Sequence, residues 1–257
     1  MGANGRPAEP LQDVVAEARR LIAAGEAAQV TLRALGGVAV HLQSPDEGPL
    51  LPRPYQDIDL VTIKDKRRVT EQLIISAGYI SDEMFNTLHG ARRMLFYDDA
   101  NQRKLDVFVG QFSMCHVIPI ADRLNRDPLT VPLAELLLTK LQVVELTERD
   151  QGDIYNLIYH HPLSRDGSGG IEVDFIAALC AKDWGLWRTT KQTVERSVAN
   201  LPKYNVPAAA AAVITERLDG LWKGIDDAPK TTGWRLRSRV GDRVRWYEEP
   251  EEHRASQ

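Results

Sequence analysis

Two carboxylates stand one residue apart in PYQDIDLVTI, residues 54–63, a stretch that otherwise has the apolar, β-branched make-up of a strand entering a core. Alternate residues of a strand point to the same side, so Asp57 and Asp59 project together while Ile58 and Leu60 face the opposite layer. Like charges that close, in a partly dry cleft, take up a proton or bind a cation. A hard divalent ion, Mg²⁺ or Mn²⁺, suits them, because it accepts a few carboxylates and completes its shell with phosphate oxygens and water. RKLDVFVG offers a third carboxylate: Asp106 alternates with Leu105 and Val107. If that strand lies beside the first, Asp57, Asp59 and Asp106 form a metal-holding cluster, with Asp106 also placed to take a proton from an attacking hydroxyl. Gly36 and Gly37 follow the apolar run QVTLRAL, and a glycine pair at a strand-to-helix turn lets backbone N–H groups approach phosphates. A lone Asp-x-Asp is more often surface charge, and a lone Gly-Gly more often a plain turn. It is the order of strand, glycine pair, short helix, Asp-Ile-Asp and a second Asp-bearing strand that points to phosphate chemistry.

These residues need a scaffold, and hydrophobic spacing supplies one. LQDVVAEARRLIAAGEAA has its apolar residues at helical intervals. QVTLRAL reads as a strand, VAVHLQS as a short helix opening at the glycine pair, and PDEGPLLPRP as a surface loop. KRRVTEQLIISAG is a helix closed by glycine, and ARRMLFYDDANQRKLDVFVG is two strands joined by the turn DDANQ. PLAELLLTKLQVVELTERDQGDIYNLIYHH is helical, with a break expected near Gly152. LSRDGSGG marks the expected domain boundary, between a domain over 1–163 and a helical C-terminal domain over 171–257. Helices follow around DFIAALCAKDWGLW, TTKQTVERSVANL and PAAAAAVITERLDGLWKGI. The end, GWRLRSRVGDRVRWYEEPEE, reads as a β-hairpin about Gly241-Asp242 with an acidic tail. The expected fold class is α/β (α+β): a small mixed β-sheet flanked by helices, a mainly helical C-terminal region and a terminal β-hairpin.

LRALGGVAVHL, RPYQDIDLV and KLDVFVG together resemble the signature of the nucleotidyltransferase superfamily, the DNA polymerase β-like fold. Within it the chain resembles the AbiEii/MenT-type enzymes, whose pattern joins a Gly-Gly or Gly-Ser turn, an Arg four residues before the first Asp, and D-I-D-L. Arg53 matches that Arg, and LLLTKLQ with RDQGDIYNL matches the group's Lys and D-x-x-D/N-L segment at Lys140 and Asp153. The likeness spans residues 28–160. Tyr55 stands where Ser or Thr is usual, Asn156 replaces a second Asp, and the Gly-to-Asp loop is long. The resemblance implies a Mg²⁺-dependent (or Mn²⁺-dependent) enzyme that moves a nucleoside monophosphate from an NTP (ATP, CTP or GTP) to an acceptor hydroxyl and releases pyrophosphate. Asp57, Asp59 and Asp106 would be catalytic and metal-binding; Gly36, Gly37, Arg53, Lys140, Asp153 and Arg92 would contact the nucleotide. An RNA 3′ end, including tRNA, is the implied acceptor, as in growth-arresting toxins that pair with an antitoxin. Two other readings stay open: transfer to a small hydroxylated molecule, as in antibiotic-modifying enzymes, and a nucleotide- or partner-binding module without turnover. On the residues alone, Lys140 reads rather as a snorkelling surface lysine and Asp153 as the N-cap of IYNLIYHH; the resemblance makes them a triphosphate contact and its orienting partner. Of Arg92 and Arg93, one is expected to face phosphate.

Other chemistries lack their residues. No H-E-x-x-H, G-x-S-x-G or G-x-x-x-x-G-K-[ST] occurs, and His116, His160 and His161 have no partner at metal-ligand spacing. A net charge of −4 over 257 residues argues neither for a dedicated nucleic-acid binder nor for a membrane-surface protein. Arg235, Arg237, Arg239, Arg243 and Arg245 form the one dense basic patch, suited to an RNA backbone unless Glu248, Glu249, Glu251 and Glu252 neutralise it. Trp184 and Trp187 are expected to anchor helices. Cys115 and Cys180 read as reduced, buried thiols. No apolar run reaches the roughly 20 residues that span a bilayer. MGANGRPAEP lacks a signal-peptide core, and Arg6 replaces the Ser or Thr of a myristoylation signal, so the cytoplasm is the expected location.

Overall fold

Alternating apolar residues build a five-stranded sheet in a computed structural model that describes residues 8–249. The Met1-Gly2 start and the tail residues Glu251 and Glu252 lie outside the described residues. The strands are β1 (Arg33–Leu35), β2 (Ile58–Thr62), β3 (Ile80–Ser81), β4 (Arg93–Asp98) and β5 (Arg103–Val109), in the order β1-β2-β5-β4-β3. β2 and β5 run parallel and every other neighbouring pair antiparallel, so the sheet is mixed, as expected. Ile58, Leu60, Met94, Phe96, Leu105 and Val107 are wholly buried on one face, and the intervening residues, Asp59 and Asp106 among them, occupy the other. The turn DDANQ closes the β4–β5 hairpin: Asp98 accepts from Arg103 Nη2 at 2.6 Å and from the Asn101 amide, and Gln102 takes the left-handed conformation.

The chain divides into two compact units. One runs up to Gln43, then takes Arg53–Phe112 and Pro119–Pro132. It contains the sheet with α1 (Val14–Ala27), α2 (Gly36–Leu42), α3 (Arg67–Ser76) and α4 (Glu83–His89). α1 opens at Asp13, whose side chain caps the Ala16 amide. Its buried Glu17 is satisfied by Arg20 and by the Tyr79 hydroxyl, which fastens α1 beside the end of α3.

The other unit takes Ser44–Pro52, Ser113–Ile118 and everything from Leu133. Its helices are α5 (Leu133–Leu141), α6 (Glu148–His160), α7 (Val173–Lys182), α8 (Trp184–Asn200), α9 (Ala208–Asp227) and α10 (Thr232–Val240). Short strands β6 (Gln111–Ser113) and β7 (Val117–Pro119) precede them, and β8 (Leu163–Ser164) pairs in parallel with β9 (Ile171–Glu172). The boundary expected at 163–171 therefore falls inside this second unit, in which α5 packs on α7 and α8 and α6 packs on α9. Cys115 and Cys180 are buried free thiols, and no described helix is long and apolar enough to cross a membrane.

Two expectations are corrected. The helix break lies between Leu141 and Glu148, not near Gly152, which sits inside α6. A capping box fixes the restart: Thr147 accepts from the Asp150 amide, and Asp150 reaches back to the Thr147 amide. The C-terminal segment forms helix α10 and a short turn where a β-hairpin was expected. Arg235, Arg237 and Arg239 alternate like strand residues, but Thr231 caps a helix, and Trp234 and Arg237, one turn apart, provide its inward contacts. Trp234 packs edge-on against Trp187 at 5.2 Å, and Arg237 lies 4.6 Å over the Trp184 ring. Gly241, at φ 60°, ends the helix.

Candidate functional site

β2 and β5 bring two of the three predicted carboxylates side by side. Asp59 and Asp106 are register partners on adjacent parallel strands, so their side chains leave the same face. Asp57 lies just before β2 and is exposed, Asp59 is half-buried and Asp106 is buried. Both Asp106 oxygens are engaged: Oδ1 accepts from Arg93 Nε at 2.7 Å, and Oδ2 faces Lys104 Nζ at 3.2 Å. Arg93 also lies over the rings of Phe108 and Phe85, at 5.3 and 5.8 Å. The charge of Asp106 is thus met by two cations of the chain itself. Of the arginine pair before the hairpin, Arg93 reaches the Asp106 carboxylate, while Arg92, the expected phosphate contact, is exposed.

The glycine turn is where the sequence places it, between β1 and α2, and each glycine admits a particular side chain. Gly36 has φ 66°, and a Cβ there would collide with the Asp59 carboxylate. A Cβ at Gly37 would meet the Arg53 guanidinium and the Tyr55 ring. Arg53 in turn stacks 4.7 Å from the centre of Tyr55, whose other neighbour is His41 at 5.6 Å, edge to face. The glycines are therefore not bare backbone. They let an acid and an arginine settle on the start of α2, which brings Asp59, Gly36, Gly37 and Arg53 together.

The second unit carries its own charged cluster. Lys140, near the end of α5, pairs with Asp153 at 2.9 Å and Asp150 at 3.1 Å. Burial works against its charge, but the two carboxylates outweigh it and hold its pKa above the ordinary lysine value. Burial likewise opposes the charge of Asp150, while Lys140 and Thr147 outweigh it and keep its pKa below the usual range. Asp153 is in the interior of α6 and wholly buried, so it pairs with Lys140 and is not a helix cap. Asn156 clamps the long loop: it accepts from the Leu51 amide at 2.8 Å and donates to the Leu51 carbonyl at 3.1 Å.

Among the described residues no group of three or more His, Cys, Asp or Glu is placed to hold a metal ion. Mg²⁺ does not require one, since one or two carboxylates plus substrate phosphates are its usual protein-bound shell. Asp57 and Asp59 fit that contribution, with hard oxygens on one side of β2 and no ion pair on Asp57 among the described residues. Sequence reasoning missed Lys104 and understated Arg93. Lys104 was within reach, because it stands two residues before Asp106 and so shares its face. No protein-family model matches the chain, and no curated protein matches it either.

Proposed function

We propose that the chain is a Mg²⁺-dependent nucleotidyltransferase of the DNA polymerase β-like type that moves a nucleoside monophosphate from an NTP to an acceptor hydroxyl. The single observation that carries this reading is the placement of Asp59: it is seated against Gly36 at the strand-to-helix turn and is register partner to Asp106 on the next parallel strand. Asp57 and Asp59 would hold the ion, which when bound neutralises phosphate charge and favours the attacking oxygen. Arg53, lying across Gly37, supplies a planar cation to the phosphates. A new bond forms between the acceptor oxygen and the α-phosphorus, the α–β anhydride bond breaks, and pyrophosphate leaves. Asp106 takes the hydroxyl proton at Oδ2, whose contact with Lys104 is the longer of its two. RNA, including a tRNA 3′ end, is the proposed acceptor, and a small hydroxylated molecule is the alternative.

The two cations on Asp106 favour a second reading, a nucleotide-binding module without turnover, because a carboxylate engaged on both oxygens is a weaker base. One experiment separates them. The full chain is incubated with Mg²⁺, each NTP in turn, total RNA and an aminoglycoside, and products are analysed by mass spectrometry. A nucleotide adduct on one acceptor pool, lost in Asp59→Asn, supports transfer. NTP binding that depends on Asp59, with no adduct and no pyrophosphate from any pairing, supports the module and ends the transferase reading.

A further inference from the structure

Helix α10 has no buried residue, and the half of it that faces solvent carries two kinds of side chain in adjacent rows. Arg235 and Arg239 are exposed, four residues apart, and make no ion pair among the described residues. Beside them Leu236 and Val240 are 56% and 41% exposed. Two acids of the following segment are committed elsewhere, Asp242 to Arg188 at 2.9 Å and Glu249 to Arg245 at 2.7 Å. The ridge is therefore both cationic and apolar. Phosphate or a bilayer surface alone would leave half of it unexplained: RNA phosphates do not cover aliphatic side chains, and two aliphatics insert little into lipid.

The complement lies in the same unit. A groove of about 580 Å³ runs between the end of α8 and the start of α9, with a floor of Val198, Leu201, Ala211 and Ala212. Glu216 and Asp219 form its rim; both are exposed and neither makes an ion pair among the described residues. The carboxylates are three residues apart on α9 and the guanidinium groups four apart on α10, which are neighbouring positions on one helix face in both cases. α10 packs at the Trp184–Arg188 end of α8, and the groove is at the Asn200 end. Trp187, which packs on Trp234, and Val198, in the groove, are eleven residues apart on α8, about 16 Å at the usual helical rise, and α10 runs from Trp187 toward Trp184, away from the groove, so a chain does not fill its own groove.

We propose that two copies of this chain associate by seating the α10 ridge of each in the α8–α9 groove of the other. Leu236 and Val240 cover the apolar floor, and Arg235 and Arg239 pair with Glu216 and Asp219. Ridge and groove are different patches, so a two-fold pair makes the contact twice and is the smallest closed form.

Charge reversal tests this on the full chain by sedimentation velocity over a range of concentrations, with circular dichroism to verify folding. The wild type sediments as a dimer at concentrations up to about 100 µM. Arg235→Glu/Arg239→Glu and Glu216→Arg/Asp219→Arg each weaken association by at least about tenfold. The four substitutions in one chain restore it, which loss of fold or a general charge effect does not do. Leu236→Ser weakens association without changing its salt dependence. A wild type that stays monomeric overturns the proposal, and so does a quadruple variant that fails to recover. A monomer whose Arg235→Glu/Arg239→Glu form loses binding to poly(U) RNA or to phosphatidylserine vesicles also overturns it and gives the ridge to that ligand.

Discussion

Asp57 and Asp106 have the same side chain and opposite surroundings. Asp57 is exposed, whereas Asp106 is 3% exposed and holds two cations, one fixed between aromatic rings. Removing one partner of a buried ion pair leaves the others uncompensated, while an exposed charge is screened by water. Asp106→Asn should therefore lower stability by about 2–3 kcal/mol, partly softened because Lys104 is near solvent, and Asp57→Asn by less than about 0.5 kcal/mol. Urea denaturation of both variants checks this; equal midpoints would mean that Arg93 and Lys104 are ordinary surface partners. The same contrast bears on the proposed chemistry: Asp57 makes no ion pair among the described residues, whereas both oxygens of Asp106 are engaged by Arg93 and Lys104.

At the scale of elements, the sequence was most legible where one residue decides the backbone. The alternation around Ile58 and Leu105, and the glycine pair after Leu35, gave the strands and the turn that position the acids, because period two and a positive φ leave few alternatives. Legibility failed where a distant contact decided. Arg93 reaches Asp106 only through the β4–β5 register, in which Leu95 and not Arg93 stands opposite Asp106. α10 hid its period under alternating arginines, and its fold depends on Trp187 and Trp184, nearly fifty residues earlier. Gly152 looked like a break because glycine is a poor helix former, yet Thr147 and Asp150 had already set the start of α6. Two glycine substitutions measure the difference. Gly36→Ala meets a positive φ and the Asp59 carboxylate, and should cost about 1–3 kcal/mol and displace Asp59. Gly152→Ala meets nothing within 4 Å and removes only backbone freedom, so it should stabilise by about 0.5–1 kcal/mol. Denaturant midpoints that shift in the same direction for both would contradict this division.

For the molecule as a whole, a buried imidazole that joins distant stretches of the second unit makes a large contribution to the pH response. The His116 amide donates to Gln142 at the end of α5, and its ring Nε2 lies 2.8 Å from the Thr189 hydroxyl of α8. Trp246, from the C-terminal segment, donates its indole N–H to the same hydroxyl at 3.1 Å. Thr189 accepts from Trp246 and donates to Nε2, which requires that nitrogen to be unprotonated. Burial lowers the His116 pKa from 6.5 to about 4, against the opposing pull of Asp183. The unfolded chain therefore binds the proton first as pH falls through 6.5, so stability declines from there down to about 4 and is unaffected above that window. The slope approaches about 1.4 kcal/mol per pH unit and the full loss is roughly 3 kcal/mol. His160, also depressed by burial, adds in the same direction, whereas Asp150, depressed by Lys140 and Thr147, weakens the fold only below the ordinary aspartate range. The sequence pI of 5.9 lies inside the window, so unfolding should be followed at low protein concentration, where aggregation does not mask it. Urea midpoints of wild type and His116→Gln between pH 4 and 8 provide the test. Glutamine can accept from Thr189 without titrating, so the variant should lose most of the slope between pH 6.5 and 4; an undiminished slope would place the acid sensitivity elsewhere in the molecule.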